Sequence, residues 1–282
     1  MPARPPQQLR LGIWHLPGFG RSRGWDFEAI AEVVRSHYDM VALLGVAQVK
    51  DKSPGYEGLL LALGEEWTGV ITHTPRPRQD SRDSEHYAVI WRWAHVRPCG
   101  GWTELIYVPD HDGGPEGKGP DRFLREPAIG CFTTGLARGD IGLDFLLALY
   151  HAPAGRKAAK ARTRELEALP HVFRAMADAR SPERDLWMAG AFEAALDVPK
   201  ALVERGAHAE GEGNVFDRRG KLQAGMRDHL LIFDRRGTQE LQDVIAPINL
   251  HEDAKAARRA LRRMGSHLPL LATFNSTGPD DD

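Results

Sequence analysis

Short apolar segments with the composition of buried strands recur along almost the whole chain, and helix-like segments lie between them. Runs of four to eight apolar or β-branched residues bounded by glycine and proline are typical of strands, whereas longer runs with apolar residues every three to four positions are typical of helices. A chain that alternates the two throughout, with antiparallel hairpins possible, is expected to form an α/β sandwich with sheets inside and helices outside. The strand-like segments are 9–15, 40–46, 87–93, 128–134, 143–151, 186–190, 229–233 and 268–274.

The helical segments carry recognisable boundary residues. Asp26 is a suitable N-cap for the first helix, Gly64 ends the second, and Pro170 is expected to kink the third. A doubly wound parallel sheet is the alternative architecture, but no Gly-x-Gly-x-x-Gly sequence opens a helix after the first strand, which disfavours its dinucleotide-binding form. The predicted helices are 26–34, 56–63, 158–179 and 254–264, and the glycine- and proline-rich segment 111–120 predicts a loop.

The 282 residues are enough for one large domain or two small ones. No repeat or low-complexity tract divides the chain, so we expect a single domain over residues 9–274 with flexible tails at 1–8 and 275–282. No apolar run approaches the roughly 18 residues that a membrane-spanning helix needs, so no membrane partner is expected.

Charge and cysteine content narrow the possible functions. The formal net charge is −2, whereas strong non-specific nucleic-acid binders usually carry a basic excess; any anion site must therefore be local. The first ten residues contain no apolar stretch of the kind found in secretory signals, which predicts a cytoplasmic location. Cys99 and Cys131 allow one disulfide at most and lie in no metal or redox motif.

Eight segments, taken in order, resemble the endonuclease/exonuclease/phosphatase superfamily. The first strand-like segment, LRLGIWHLPGFG, resembles the first strand of that superfamily, and SEHYAVIWR and FLREPAI resemble deoxyribonuclease I in particular. The resemblance implies a two-sheet α/β sandwich of the deoxyribonuclease I type. It also implies phosphodiester or phosphomonoester hydrolysis by a divalent metal with oxygen ligands, a base and an acid. The segments are 9–20, 41–46, 84–92, 123–129, 149–153, 188–194, 227–232 and 265–269.

The metal-binding positions implied by the resemblance are altered in this chain. His15 stands where the family has a first-strand asparagine, and Gly45 stands where it has a metal-binding glutamate. Ala191 replaces an aspartate, Glu193 replaces an asparagine, and Ser266 replaces the aspartate before the last histidine. Because glycine, alanine and serine carry no charge, we expect no magnesium site of the family type and no cofactor.

The proton-transfer positions implied by the same resemblance are retained. His151 and His267 occupy the positions of the two catalytic histidines, and Asp228 and Glu85 occupy those of their carboxylate partners. We expect the pairs His151–Asp228 and His267–Glu85, in which the carboxylate raises the basicity of the imidazole. Arg125 matches a phosphate-contacting arginine, for which a planar guanidinium is well suited.

Each of these residues also has a structural interpretation. The two histidines could simply tie strand ends together, and Arg125 and Glu126 could form a surface pair. The basic run 258–263 could bind nucleic acid, but a solvated helix face explains it as well. Glu193 could instead join His15, His151 and His267 in a rebuilt divalent-metal site, and imidazole with carboxylate suits zinc or another transition metal better than magnesium.

The sequence therefore favours a pseudoenzyme: a catalytically inactive, nuclease-like hydrolase homologue that binds a protein partner or a nucleic acid through the former active-site cleft. The alternative is an active metal-dependent nuclease or phosphodiesterase that uses the rebuilt site. A third possibility is a structural or assembly subunit that has kept only the fold.

Overall fold

The computed structural model describes residues 8–22, 24–73, 85–108, 123–135, 142–179, 185–193, 211–217, 219–233, 241–243, 245–250 and 263–276. Its helices are α1 (Phe27–His37), α2 (Pro54–Leu63) and α3 (Ala159–Ala179), the last preceded by a 3-10 turn, Arg156–Ala158. Its strands are β1 (Gln8–Phe19), β2 (Met40–Ala47), β3 (Trp67–Ile71), β4 (Glu85–Arg92), β5 (Arg97–Pro98), β6 (Ile106–Tyr107), β7 (Ala128–Thr133), β8 (Asp144–His151), β9 (Leu186–Ala191), β10 (Asp228–Phe233), β11 (Ala246–Pro247) and β12 (Leu270–Asn275).

The strands form two mixed sheets, which confirms the predicted two-sheet α/β sandwich. The first sheet has the order β11-β12-β1-β2-β4-β3, and the second has the order β10-β9-β8-β7-β5, with β6 also paired to β7. β1 and β2 run parallel, as do β8 and β9, and the other pairs are antiparallel. The β1–β12 ladder begins at Gln8 and Asn275, one residue outside the predicted domain at each end.

The two sheets pack face to face, with helices on their outer faces. Strands of both sheets contribute to one buried cluster, in which the Trp187 ring stacks between Phe145 at 4.0 Å and Phe274 at 3.9 Å. A second cluster packs α3 on the outer face of β8 and β9, and a third packs α1 and α2 on the outer face of β1 and β2. Burial on both faces explains why these strands are apolar almost throughout.

Side chains alternate between the two faces of each strand, and this alternation determines what reaches the space between the sheets. In β1 the residues Leu9, Leu11 and Ile13 belong to the inter-sheet cluster, whereas Trp14 packs against the helices outside. The same two-residue period continues to His15 at one edge of the sandwich. The inward-facing side chains of four other strands reach this edge as well, at the last residues of β8 and β9 and at the first residues of β4 and β10.

Most local predictions are confirmed, with shifts of one to three residues at the ends. The Asp26 side chain accepts a hydrogen bond from Ala29 N at 3.1 Å, as expected of an N-cap, and Gly64 ends α2 with φ 85°. Pro170 lies inside α3. The predicted end of β1 before Pro17 is wrong: the strand continues to Phe19 across an irregularity in its pairing with β2, where a proline removes no ladder hydrogen bond.

Cys99, just after β5, and Cys131, in β7, form a disulfide. The predicted loop 111–120 lies outside the described residues, as does most of the predicted helix 254–264 and of the basic run 258–263. Arg263, at the end of that run, is described: its guanidinium lies 3.3 Å from the Asp26 carboxylate. Within the described ranges, none of the helices is both long and apolar enough to cross a membrane.

Candidate functional site

Three histidines meet at the edge of the sandwich where the inward stripes end. The His15 ring centroid lies 4.5 Å from that of His151 and 4.2 Å from that of His267, both in edge-to-face arrangements. Ala191 pairs with His151 on one side and with Asp228 on the other. The structure therefore brings together residues from both sheets that are distant in the sequence, as the resemblance implies.

His15 lies at the centre of this cluster and has no hydrogen-bond partner for either ring nitrogen among the described residues. Its side chain is 2% exposed. Its Nδ1 atom lies 3.9 Å from Oε1 of Glu193 and 3.8 Å from Oδ1 of Asp228, which is beyond hydrogen-bond distance. Burial, followed by the electrostatic effects of His267, His151 and Arg125, holds the pKa of His15 well below its ordinary value.

His267 is hydrogen-bonded to Asp228, with 2.7 Å between Nδ1 and Oδ2. Burial lowers the pKa of His267, but the charge of Asp228 and this hydrogen bond outweigh burial, and the net pKa is raised. The expected pair His151–Asp228 is therefore wrong. Asn214 holds Asp228 close to His267. The Asn214 Nδ2 donates to Asp228 Oδ2 at 2.7 Å, and the backbone carbonyl of Asn214 accepts from the N–H of Leu268, the residue after His267, at 2.7 Å.

His151 lies beside Glu85, so the expected pair His267–Glu85 is wrong as well. Nδ1 of His151 is 3.2 Å from Oε2 of Glu85, a close histidine–carboxylate contact in which neither atom meets hydrogen-bond geometry. Oε2 also lies 3.4 Å from Nη2 of Arg125. Burial raises the pKa of Glu85, but the contacts with His151 and Arg125 outweigh it and lower the pKa overall.

Arg125 borders the site on a loop that α3 holds in place. The neighbouring Leu124 donates its backbone N–H to Oε1 of Glu165 at 2.7 Å, and the Tyr150 hydroxyl donates to Oε2 at 3.0 Å. Glu165 is 1% exposed. Nη1 of Arg125 has no hydrogen-bond partner within the described part of the chain. The guanidinium thus lies at the site, where part of it already contacts Glu85, and its phosphate-binding role stays a prediction.

The residues at the edge do not fit the magnesium ion that the sequence resemblance implies. Gly45 has φ 77°, and a Cβ atom there would lie 2.9 Å from the carbonyl oxygen of Leu16 and 3.1 Å from Cα of Pro17. Ala191 is fully buried and carries no ligand atom. Magnesium requires near-octahedral oxygen ligands, whereas the ligand atoms grouped with His15 are imidazole nitrogens of His151 and His267 as well as carboxylate oxygens of Glu193 and Asp228.

Glu193 is held in a backbone conformation that few residues other than glycine adopt, with φ 55°. Its backbone N–H donates to the carbonyl of Arg227 at 3.2 Å, and Nη1 of Arg227 donates to the carbonyl of Glu193 at 3.0 Å. These two bonds fix the residue that carries the carboxylate toward His15. Such outliers persist where surrounding contacts enforce them, and they cluster at functional sites.

Sequence reasoning missed three residues that position the site: Asn214, Glu165 and Trp14. The indole Nε1 of Trp14 donates to the carbonyl of His267 at 2.9 Å. Trp14 lies in the segment 9–20 but not at a position that the resemblance singles out, Asn214 and Glu165 lie outside the eight segments, and each of the three acts on a partner that is remote in the sequence or belongs to another element. No signal in a single sequence could have identified them.

Comparison with solved structures finds the same architecture in several proteins. An endonuclease/exonuclease/phosphatase from Bacteroides vulgatus matches with a TM-score of 0.66 at 13% identity, over 96% of this chain and 99% of that chain. The mannosyl-6-phosphatase Bt3783 of Bacteroides thetaiotaomicron matches with a TM-score of 0.62 at 17% identity, over 96% and 100%. D. rerio TDP2 complexed with single strand DNA product matches with a TM-score of 0.62 at 14% identity, over 96% and 100%.

These similarities establish the fold. No protein-family model matches the chain, and no curated protein sequence matches it.

Proposed function

We propose that this chain, which has the endonuclease/exonuclease/phosphatase fold, is a pseudoenzyme. It binds a protein partner or a nucleic acid through the former active-site cleft. The observation that carries the proposal is the remodelling at Gly45. The position that holds a metal carboxylate in the family lacks a side chain here, and the backbone of Leu16 and Pro17 occupies the space that one would need. Ala191 and Ser266 supply no charge either.

The proton-transfer groups alone are not enough for hydrolysis. His267 with Asp228, and His151 with Glu85, can hold or move a proton at the imidazole. Hydrolysis of a phosphate ester also needs stabilisation of the charge that develops on the phosphoryl oxygens. Removing preorganised charge of this kind costs several kcal/mol, and hence orders of magnitude in rate.

Cleavage assays test the proposal directly. Plasmid DNA, single-stranded DNA and a phosphomonoester are each incubated with the purified protein and magnesium, manganese, calcium or zinc in turn. We expect no product above background with any of these ions. Robust cleavage that disappears in His151→Ala would overturn the proposal and establish the alternative, an active phosphodiesterase with a site rebuilt from His15, His151, Glu193 and His267.

Binding measurements separate the two classes of partner. Fluorescence anisotropy with labelled single-stranded and duplex DNA detects a nucleic-acid partner, whose affinity should fall steeply with added salt. Co-purification followed by mass measurement detects a protein partner or a stable assembly. A stable assembly whose formation is unaffected by Arg125→Ala and His267→Ala would support a purely structural subunit instead.

The disulfide between Cys99 and Cys131 argues against the cytoplasmic location that the sequence predicts. Disulfides are rare in cytosolic proteins and persist in oxidising compartments, and Cys99 is bonded to Cys131. Acid quenching of intact cells, followed by thiol labelling of the denatured protein, tests the location, because Cys99 and Cys131 are buried in the folded chain. Two labelled cysteines support the cytoplasm, and two blocked cysteines refute it.

A further inference from the structure

We infer that His15, His151 and Glu193 form a binding site for a transition-metal ion such as Zn²⁺, a site different in its ligands and its metal from the magnesium site of the fold family. The three side chains each offer one ligand atom, and these atoms lie within 4.8 Å of one another. The inference concerns metal binding alone and holds whether or not the protein cleaves phosphate esters.

The buried state of His15 is the first argument. Neither of its ring nitrogens has a hydrogen-bond partner among the residues described, and its side chain is 2% exposed. A buried polar atom without a hydrogen-bond partner lowers the stability of the fold by about 1–3 kcal/mol. Such atoms are therefore usually bound to a ligand, a water molecule or another polar group. A metal ion between His15 and its neighbours would provide the missing bond to an imidazole nitrogen.

Distances are the second argument. Ligand atoms about 2.0–2.2 Å from a tetrahedral zinc ion lie roughly 3.3–3.5 Å from one another. Nδ1 of His15 and Oε1 of Glu193 are 3.9 Å apart, so this pair needs to close by only about 0.5 Å. Glu193 is 19% exposed, and the three ligand atoms, which lie within 4.8 Å of one another, must draw together when a metal binds.

The chemistry of the donors selects the class of metal. Two imidazoles and one carboxylate suit zinc, cobalt and similar ions, whereas magnesium and calcium prefer an all-oxygen set. Three protein ligands leave the fourth tetrahedral position open, where a water molecule or an oxygen of a bound partner could coordinate.

A competing set, His15 with Asp228 and His267, is less suitable. Its ligand atoms are also within 4.8 Å of one another, but Oδ2 of Asp228 already accepts hydrogen bonds from His267 and Asn214 at 2.7 Å each. A metal there would share the Asp228 carboxylate with the His267–Asp228 pair, because only Oδ1, 3.8 Å from Nδ1 of His15, has no hydrogen-bond partner among the described residues. The Glu193 carboxylate lies beside His15 without being tied into such a pair, and its backbone is held in a rare conformation that faces His15.

Cobalt spectroscopy and zinc calorimetry on the full-length protein test the inference. Co²⁺ is titrated into metal-free protein, and we expect one equivalent with the visible absorption of a four- or five-coordinate site, displaced by Zn²⁺. Each of the variants His15→Ala, His151→Ala and Glu193→Gln should weaken Zn²⁺ binding by at least about tenfold. The matched controls are His73→Ala and Glu104→Gln, an exposed histidine–glutamate pair 2.7 Å apart, and they should leave affinity unchanged.

Two results would overturn the assignment. One is the absence of a Co²⁺ spectrum and of Zn²⁺ binding in the wild-type protein. The other is loss of binding in Asp228→Asn with full binding in Glu193→Gln. If a histidine variant does not fold, imidazole ¹⁵N shifts in the wild-type protein decide: Zn²⁺ should move the nitrogen resonances of His15 and His151, and unchanged shifts refute the site.

Discussion

Substituting Gly45 by alanine measures how closely the backbone packs around the position at which the sequence resemblance implies a metal-binding glutamate. With φ 77°, any L-residue at position 45 costs about 1–2 kcal/mol in backbone strain. The added Cβ would also lie 2.9 Å from the carbonyl oxygen of Leu16, and overpacking of a well-packed interior typically costs about 1–3 kcal/mol. We therefore expect Gly45→Ala to lower the free energy of unfolding by about 2–5 kcal/mol.

Two other glycines separate these contributions. Gly64 has φ 85°, and a Cβ atom added there would meet no neighbouring atom within 4 Å, so Gly64→Ala should show the backbone cost alone. Gly100 has neither a positive φ nor a neighbour within 4 Å, so Gly100→Ala should be neutral or stabilising by up to about 1 kcal/mol. Urea denaturation of the three variants and the wild type, monitored by tryptophan fluorescence, gives the three differences.

Equal destabilisation by Gly45→Ala and Gly64→Ala would refute the reasoning, because it would mean that position 45 has room for a side chain. The proposed pseudoenzyme would then lose its main support. The expected order, with position 45 clearly the more costly, implies that Gly45→Glu cannot introduce a carboxylate at this position without moving the β1 backbone.

The remaining predictions concern His267, Asn214 and the disulfide. The fold raises the pKa of His267, so its pair with Asp228 should contribute fully to stability at pH values below the pKa of an unfolded histidine, about 6.5. This contribution should be lost as the pH rises through the pKa of His267 in the folded protein. NMR titration should show a lower His267 pKa in Asp228→Asn. Asn214→Ala, which removes a buried donor, should cost about 1–3 kcal/mol in urea denaturation, and no change would contradict the role of Asn214. Replacing Cys99 and Cys131, 32 positions apart, by serine should cost about 3–4 kcal/mol, and unchanged stability would argue against the bridge.

The positions of the histidines follow from the sequence because they depend on a local rule. The two-residue period that sends Phe145, Leu147 and Leu149 into the inter-sheet cluster sends His151 to the same side. The resemblance supplied the order of the strands. Together they place His15 and His151 at one edge.

The partners of the histidines could not be obtained in this way. The choice of Asp228 by His267, rather than by His151, depends on how the segment at Asn214 packs between the start of β10 and the residues before β12. That contact is non-local and carries no periodic signal. The continuation of β1 beyond Pro17 could not be predicted either, because a proline normally ends strand pairing. Here the register with β2 is irregular around Pro17, so the strand tolerates the proline.

The site is assembled from both layers of the sandwich: His15 comes from the first sheet, whereas His151 and Asp228 come from the second. Any ligand bound by these side chains would therefore link the two sheets. Because such a ligand binds only the assembled structure, it would raise the melting temperature of the whole fold in proportion to the logarithm of its concentration. Thermal-shift screening of metals and partners can thus detect occupancy of this edge without any knowledge of the reaction.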